Sequence, residues 1–153
     1  MPENNVIISD TSCLILLDKI GQLELLKGVY QRIIITPEIL NEFGKDLPDW
    51  IVVERPKDHS IQQVLEQTLD VGEASAIALA FQFPNATLII DDLKARKVGK
   101  GLKLKFTGTL GVIVKAKEKG VIKSIKPIIK KLTQTDFRIS ENVIKEILKR
   151  SGE

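Results

Sequence analysis

The stretch Val6-Ile7-Ile8-Ser9-Asp10-Thr11-Ser12-Cys13-Leu14 passes from a short β-branched run to an acid and then into an apolar helical pattern. Such a run reads as a buried strand. Asp10, Thr11 and Ser12 can each cap a helix over 13–19, and Gly21 can end it. The same order returns at Thr87-Leu88-Ile89-Ile90, where Asp91 and Asp92 follow at once and a basic helix over 93–100 comes next. Between the two lie a short helix over 22–26 that stops near Gly28, a strand over 32–36 and a helix opened by Pro37. A third strand over 50–54, placed at an edge, a helix capped by Ser60 and an Ala-rich helix over 74–83 follow, the last opened by Glu73 after Gly72. Beyond the second acidic strand end come a strand over 104–107, a helix over 110–119 and two amphipathic helices over 122–132 and 140–150. Strands alternating with helices predict an α/β sandwich with a mainly parallel sheet.

Composition agrees with that reading. The chain has 153 residues, 43% hydrophobic and 28% charged, which favours one domain with a real core over a disordered chain. We expect a single domain over 1–153, with 121–153 as a C-terminal helical extension. No apolar run approaches the roughly 18 residues of a membrane helix, and no basic stretch precedes an apolar one at the N-terminus, so neither membrane span nor signal peptide is expected. Cys13 is the only cysteine, and no Cys/His cluster is present to hold zinc. A cytoplasmic, disulfide-free protein is the expectation. The net charge of +3 conceals a split: residues 1–93 carry 6 basic and 15 acidic side chains, residues 94–153 carry 17 and 5. A basic half of this density can bind a polyanion, or keep a helical surface in solution, and the two halves could pair in a homodimer.

In open parallel sheets, ligands bind outside the carboxyl ends of the strands, where the strand order reverses. If the strands ending at Asp10 and at Asp91-Asp92 are neighbours, their carboxylates face one crevice. Glu42, on the helix after the second strand, and Glu73, at the start of the helix before the fourth, can be brought to the same edge. Crowded carboxylates repel one another, and an all-oxygen donor set without His or Cys selects Mg²⁺ or Mn²⁺. Such ions activate water for phosphoryl displacement. Each acid also has a plainer use: Asp10 and one of Asp91 and Asp92 as helix caps, Glu73 as a partner of the helix dipole, Glu42 as a surface residue.

These residues resemble the motifs of the PIN-domain ribonucleases. Asp10-Thr11-Ser12-Cys13-Leu14 is similar to the opening D-[TS]-S-x-L, and Pro37 through Glu42 to P-x-x-x-x-E. Gly72-Glu73-Ala74-Ser75-Ala76-Ile77 resembles G-E-A-x-A-I, Asp91 through Arg96 resembles the D-D-x-x-A-R of a prokaryotic subgroup, and Gly108-Thr109-Leu110-Gly111-Val112 its G-T-L-G-V. The likeness spans about the first 120 residues, with the motifs in the family's order. It implies a three-layer α/β/α sandwich and a Mg²⁺- or Mn²⁺-dependent endoribonuclease of the VapC toxin type, restrained by a small antitoxin protein. By position it assigns Asp10, Glu42, Glu73 and Asp92 as the acidic set, with Asp91 as an adjacent candidate for the last place, Asp10, Glu73 and either or both of Asp91 and Asp92 on the metal, and Thr11 and Ser12 orienting Asp10 or the metal. The chain departs from the pattern at Ile90, where members carry a threonine.

Arg96, Lys97 and Lys100 follow the acids in sequence and are assigned to the RNA backbone, where contacts position but do not specify. His59, the single histidine, reads as an exposed loop residue; Trp50 and Tyr30 read as packing residues. Two other functions compete. A phosphotransferase of the haloacid-dehalogenase type also puts an Asp after its first strand, but needs a second Asp where Ser12 stands. A catalytically inactive RNA-binding or protein-interaction module is the alternative that Ile90 raises.

Overall fold

The computed structural model describes residues 5–153; the first four residues of the expected domain lie outside the described residues. In chain order the elements are β1 (Val6–Ser9), α1 (Thr11–Lys19), α2 (Glu24–Tyr30), β2 (Ile33–Ile35), α3 (Pro37–Phe43), β3 (Ile51–Val53) and α4 (His59–Leu65). They continue with α5 (Val71–Phe81), β4 (Ala86–Ile89), α6 (Leu93–Gly101), β5 (Lys105–Thr107), α7 (Thr109–Glu118), α8 (Lys126–Thr133) and α9 (Glu141–Arg150). The five strands form one parallel sheet in the order β3-β2-β1-β4-β5, flanked by helices in a three-layer α/β/α arrangement. β3 is an edge strand, as its sequence predicts.

The chain first builds outward from β1 through β2 to β3, then returns to build β4 and β5 on the other side. The order therefore reverses between β1 and β4, which pair in register from Val6↔Ala86 to Ser9↔Ile89. The Asp10 N–H donates to the Ile89 carbonyl at 3.0 Å and the Ile90 N–H to Thr107 at 2.8 Å, so pairing runs one residue past each assigned strand. The acids that follow β1 and β4 thus leave the sheet side by side.

The three central strands are apolar on both faces, as burial under helices on either side requires: Ile8, Ile33, Ile35, Leu88 and Ile89 are at most 1% exposed. They pack with Leu14, Leu17, Ile39, Ile77 and Leu79 from α1, α3 and α5. A second cluster contains no strand residue. Leu25 and Val29 of α2, Ile113 and Val114 of α7, Ile128, Ile129 and Leu132 of α8 and Ile147 of α9 form it, and Ile20 and Tyr30 touch both clusters. Lys117 and Ser124 bind the Glu153 carboxylate across this cluster, and the Ile125 N–H donates to it at 2.9 Å.

Several local expectations are corrected. The second helix does not stop near Gly28 but continues to Tyr30, and Gly28 lies inside it against Val121, whose Cγ1 would be 2.6 Å from a Cβ there. Glycine is there for close approach, not termination. Asp58 rather than Ser60 caps α4, accepting from the Ser60 N–H at 2.9 Å, and His59 is the exposed first residue of that helix rather than a loop residue. α5 begins at Val71, with Asp70 as its cap, so Gly72 lies inside its first turn. Gly99 is inside α6, Thr109 is the first residue of α7, and the helix placed at 122–132 begins only at Lys126. Cys13 and Trp50 are buried packing residues. Among the described residues, no helix is long and apolar enough to cross a membrane.

Candidate active site

Asp10 ends β1 and caps α1, accepting from the Cys13 N–H at 3.2 Å. It is 2% exposed. Burial, followed by the charges of Asp91, Glu73 and Asp70, pushes its carboxyl from 3.8 up to about 8, against the lowering effect of the Cys13 N–H. Glu73, in the first turn of α5, is driven up to about 7 by desolvation and by Asp70 and Asp92. Its N–H donates to Asp70 Oδ1 at 2.8 Å, so the cap that starts α5 also holds a carboxylate beside Glu73. The same burial pushes the Cys13 thiol up, which leaves it an inert core group.

Asp91 and Asp92 have different settings. Asp92 caps α6, accepting from the Ala95 N–H at 2.9 Å. Asp91 is held at both oxygens by one residue: Oδ1 accepts from the Thr109 N–H at 2.9 Å and Oδ2 from the Thr109 hydroxyl at 2.6 Å. Gly108 permits this, because a Cβ there would sit 2.6 Å from Asp91 Oδ1 and 2.5 Å from a terminal nitrogen of Arg96. Ile90, where the motif carries threonine elsewhere, is 1% exposed and belongs to the core. The threonine hydroxyl at this strand end comes instead from Thr109.

A cleft of about 590 Å³ opens over these acids, lined by Ser12, Lys19, Asp70, Glu73, Asp91, Asp92, Asp136 and Phe137 among others. Of the residues assigned from sequence, the structure brings Glu73, Asp91, Asp92 and Ser12 to this cleft, with Asp10 buried near it. Glu42 is exposed and lies to one side, its Oε1 accepting from the Thr11 hydroxyl at 2.7 Å. Thr11 is therefore committed to Glu42. Gly72 makes room for this pair, because its missing Cβ would occupy the place of the Glu42 carboxylate. Thr36, which caps α3, shares a 2.6 Å hydrogen bond with Ser75 of α5 and fixes α3 against the Glu73 helix.

Arg96 donates from Nε to the Ile90 carbonyl at 2.7 Å and lies 5.1 Å over the Phe106 ring. Lys97 and Lys100 are exposed on α6 and do not line this cleft. Asp70, Asp136 and Thr109 had no assigned role. The first was legible: Asp70-Val71-Gly72-Glu73 has the spacing of a helix-capping pair. Asp136 and Thr109 reach the site only through tertiary packing.

The donor set is oxygen throughout and carries excess negative charge, which fits a hard divalent cation rather than zinc. The acids ring the cleft without converging: among the described residues, no three His, Cys, Asp or Glu side chains form a group that could hold a metal ion as they stand. Closing around an ion would require side-chain movement; Glu73 is half-buried, and the exposed Asp92 has one oxygen on the Ala95 N–H.

Of three comparisons with known proteins, one identifies a family. Searches of curated proteins and of solved structures found no match. A family model described as DUF3368, a PIN domain, matches residues 6–153. With a parallel five-stranded sheet, acids at its reversal point and a family match over nearly its whole length, the chain belongs to the PIN-domain family and has a nuclease-type fold.

Proposed function

We propose that the protein is a metal-dependent endoribonuclease that hydrolyses RNA phosphodiesters by metal-activated water, and that it serves as the VapC-like toxin of a type II toxin–antitoxin pair. The observation that carries this reading is the buried Asp10 carboxyl at the reversal point of the sheet, beside a cleft lined by Glu73, Asp91 and Asp92. Two carboxyls that resist ionising together gain most from a bound cation. Asp10, Glu73, Asp91 and Asp92 would hold Mg²⁺ or Mn²⁺, which supplies a nucleophilic water and neutralises charge on the phosphate. The chain's own part is to keep Asp10 nearly dry, to orient Asp91 through Thr109, and to hold Glu42 through Thr11 at the margin of the site. In this reading residues 1–153 act as one cytoplasmic domain, and a small cognate antitoxin silences it by covering the acidic cleft.

The test is cleavage of RNA in a titration of micromolar to millimolar Mn²⁺, with Asp10→Asn beside the native chain. Cleavage that Asp10→Asn abolishes supports the reading; cleavage that persists in that variant rejects it. Growth arrest on expression, relieved by Asp10→Asn, tests the toxin role. The buried Ile90 favours a second reading, a catalytically inactive RNA-binding module, for which RNA affinity without cleavage in any metal is the expected result.

A further inference from the structure

A second cleft, of about 720 Å³, adjoins the acidic one. Asp91 lines both. So does the segment between α8 and α9: Thr135, Asp136 and Phe137 wall the acidic cleft, while the next three residues, Arg138, Ile139 and Ser140, wall the second. One short segment is thus the shared wall of two neighbouring depressions.

The two differ in chemistry. The second cleft has three arginines, Arg96, Arg138 and Arg150, contributed by α6, the α8–α9 segment and α9. Its acids are Asp91, whose oxygens already accept from Thr109, and Glu146. Apolar surface lies between the charges: Leu93 is 80% exposed and Val143 37% exposed, with Phe106 beneath the Arg96 guanidinium. Arg96 is already oriented by its bond to the Ile90 carbonyl and by the ring, so its terminal N–H groups need little further ordering to meet an anion. Arg138 and Arg150 are exposed and free to follow a chain of charges.

We propose that this cleft seats the single-stranded RNA next to the bond being cut, with Arg96, Arg138 and Arg150 on successive phosphates and the apolar surface under the bases. The inference rests on the ribonuclease reading and deepens it by naming where the substrate runs. A strand whose scissile phosphate is at the acids must leave the acidic cleft. The second cleft shares a wall and a carboxylate with the acids and is lined by three arginines together with apolar side chains. Single-stranded nucleic acid carries both matching features, a charge at every nucleotide and a stackable base. Phosphate contacts of this kind fix position without reading sequence. On this proposal Arg96 keeps the backbone role that sequence order gave to Arg96, Lys97 and Lys100, with Arg138 and Arg150 beside it in place of the two lysines.

The experiment measures binding of a short fluorescent single-stranded RNA by anisotropy in Mg²⁺, in an Asp10→Asn background, across a salt series. Arg138→Ala/Arg150→Ala should weaken binding about tenfold or more, as expected for lost charged hydrogen bonds. It should lower the slope of log affinity against log salt by about 1.4, or about 0.7 per phosphate contact. Arg138→Lys/Arg150→Lys should recover most of the slope. Lys97→Ala/Lys100→Ala should lose less than the arginine pair. Native affinity and slope in the arginine variant overturn the proposal. So does arginine-dependent binding of a polyglutamate peptide with RNA affinity unchanged, which would make the cleft a protein-docking surface. Mn²⁺-dependent cleavage by the native chain, measured separately, distinguishes the two failures. Cleavage that is indifferent to Arg138 and Arg150 sinks the RNA track alone; arginine-dependent binding without cleavage sinks the nuclease reading alone.

Discussion

Asp10 and Asp91 leave neighbouring parallel strands at the same edge of the sheet, one residue past Ser9 and two past Ile89. Asp91 receives two hydrogen bonds from Thr109, one to each oxygen. Asp10 is buried at 2% exposure with the Cys13 N–H at 3.2 Å and three like charges acting on it. One carboxylate is compensated by dipoles from within the chain, while the other is left under-compensated where several acids meet. A fold does not leave charge in that condition at no cost, and the Asp10 carboxyl answers by keeping its proton to higher pH, a penalty that a bound cation would relieve.

The largest expected effect breaks the comparison at Asp10. Asp10→Asn should reduce Mn²⁺-dependent RNA cleavage by at least about 100-fold, on the scale of removing an electrostatic group from an active site. Product appearance on a denaturing gel checks it, and near-native cleavage would refute the assignment. The same substitution should raise the melting temperature in EDTA above pH 8, because it removes a charge that burial and the neighbouring acids disfavour.

Next in size is the pH dependence of stability without divalent ions. Asp10 ordinarily titrates at 3.8 and in the folded protein at about 8; Glu73 moves from 4.5 to about 7. Between roughly pH 4 and 8 the folded chain keeps protons that the unfolded chain has released, so stability falls as pH rises. The slope is at most about 1.4 kcal/mol per pH unit for each such proton, and it flattens above both raised values. Below this window Glu153 acts in the opposite sense, since Lys117, Ser124 and the Ile125 N–H hold it down to about 2. Thermal melts in EDTA from pH 5 to 8 test this; a melting point that rises across that range contradicts it. Saturating Mn²⁺ should flatten the decline and add about 2.7 kcal/mol at 100 times its dissociation constant.

Thr109→Val sharpens the comparison from the other side. It removes the hydroxyl from Asp91 Oδ2, leaves the N–H bond, and should cost about 1–3 kcal/mol in denaturant melts. An unchanged midpoint would mean that Asp91 is not held as described. The smallest effect is expected at Gly72→Ala. The new Cβ displaces the Glu42 carboxylate from Thr11, while the helix gains about 1 kcal/mol of propensity. Stability should change by less than about 1 kcal/mol, whereas cleavage should fall if Glu42 serves the reaction; unaltered kinetics would remove Glu42 from the acidic set.

Much of this was legible in the chain. Strands 6–9 and 87–90 were marked by β-branched runs, and the acids behind them by position alone. The helix end at Gly21 follows from positive φ, which glycine adopts freely. Gly28 and Gly72 misled for the opposite reason. They lie within helices, and their missing side chains answer neighbours distant in sequence, Val121 and Glu42. The α8 start failed similarly: Ile122 and Ile125 are apolar because they pack on the second cluster, not because they belong to a helix.

By itself, the sequence determined the alternation of strand and helix, the parallel sheet, the acids at two strand ends and the uneven distribution of charge. Those features depend on side chains a few residues apart, through burial periodicity and capping. Only the tertiary structure decided that Asp10 is buried among like charges, that Thr109 clamps Asp91 from 18 residues away, and that Glu42 stands aside with Thr11. It also decided that Arg138 and Arg150 border a cleft beside the acids. A carboxylate's charge state and an arginine's neighbours are sums over everything within reach in space, and chain order does not say what is within reach.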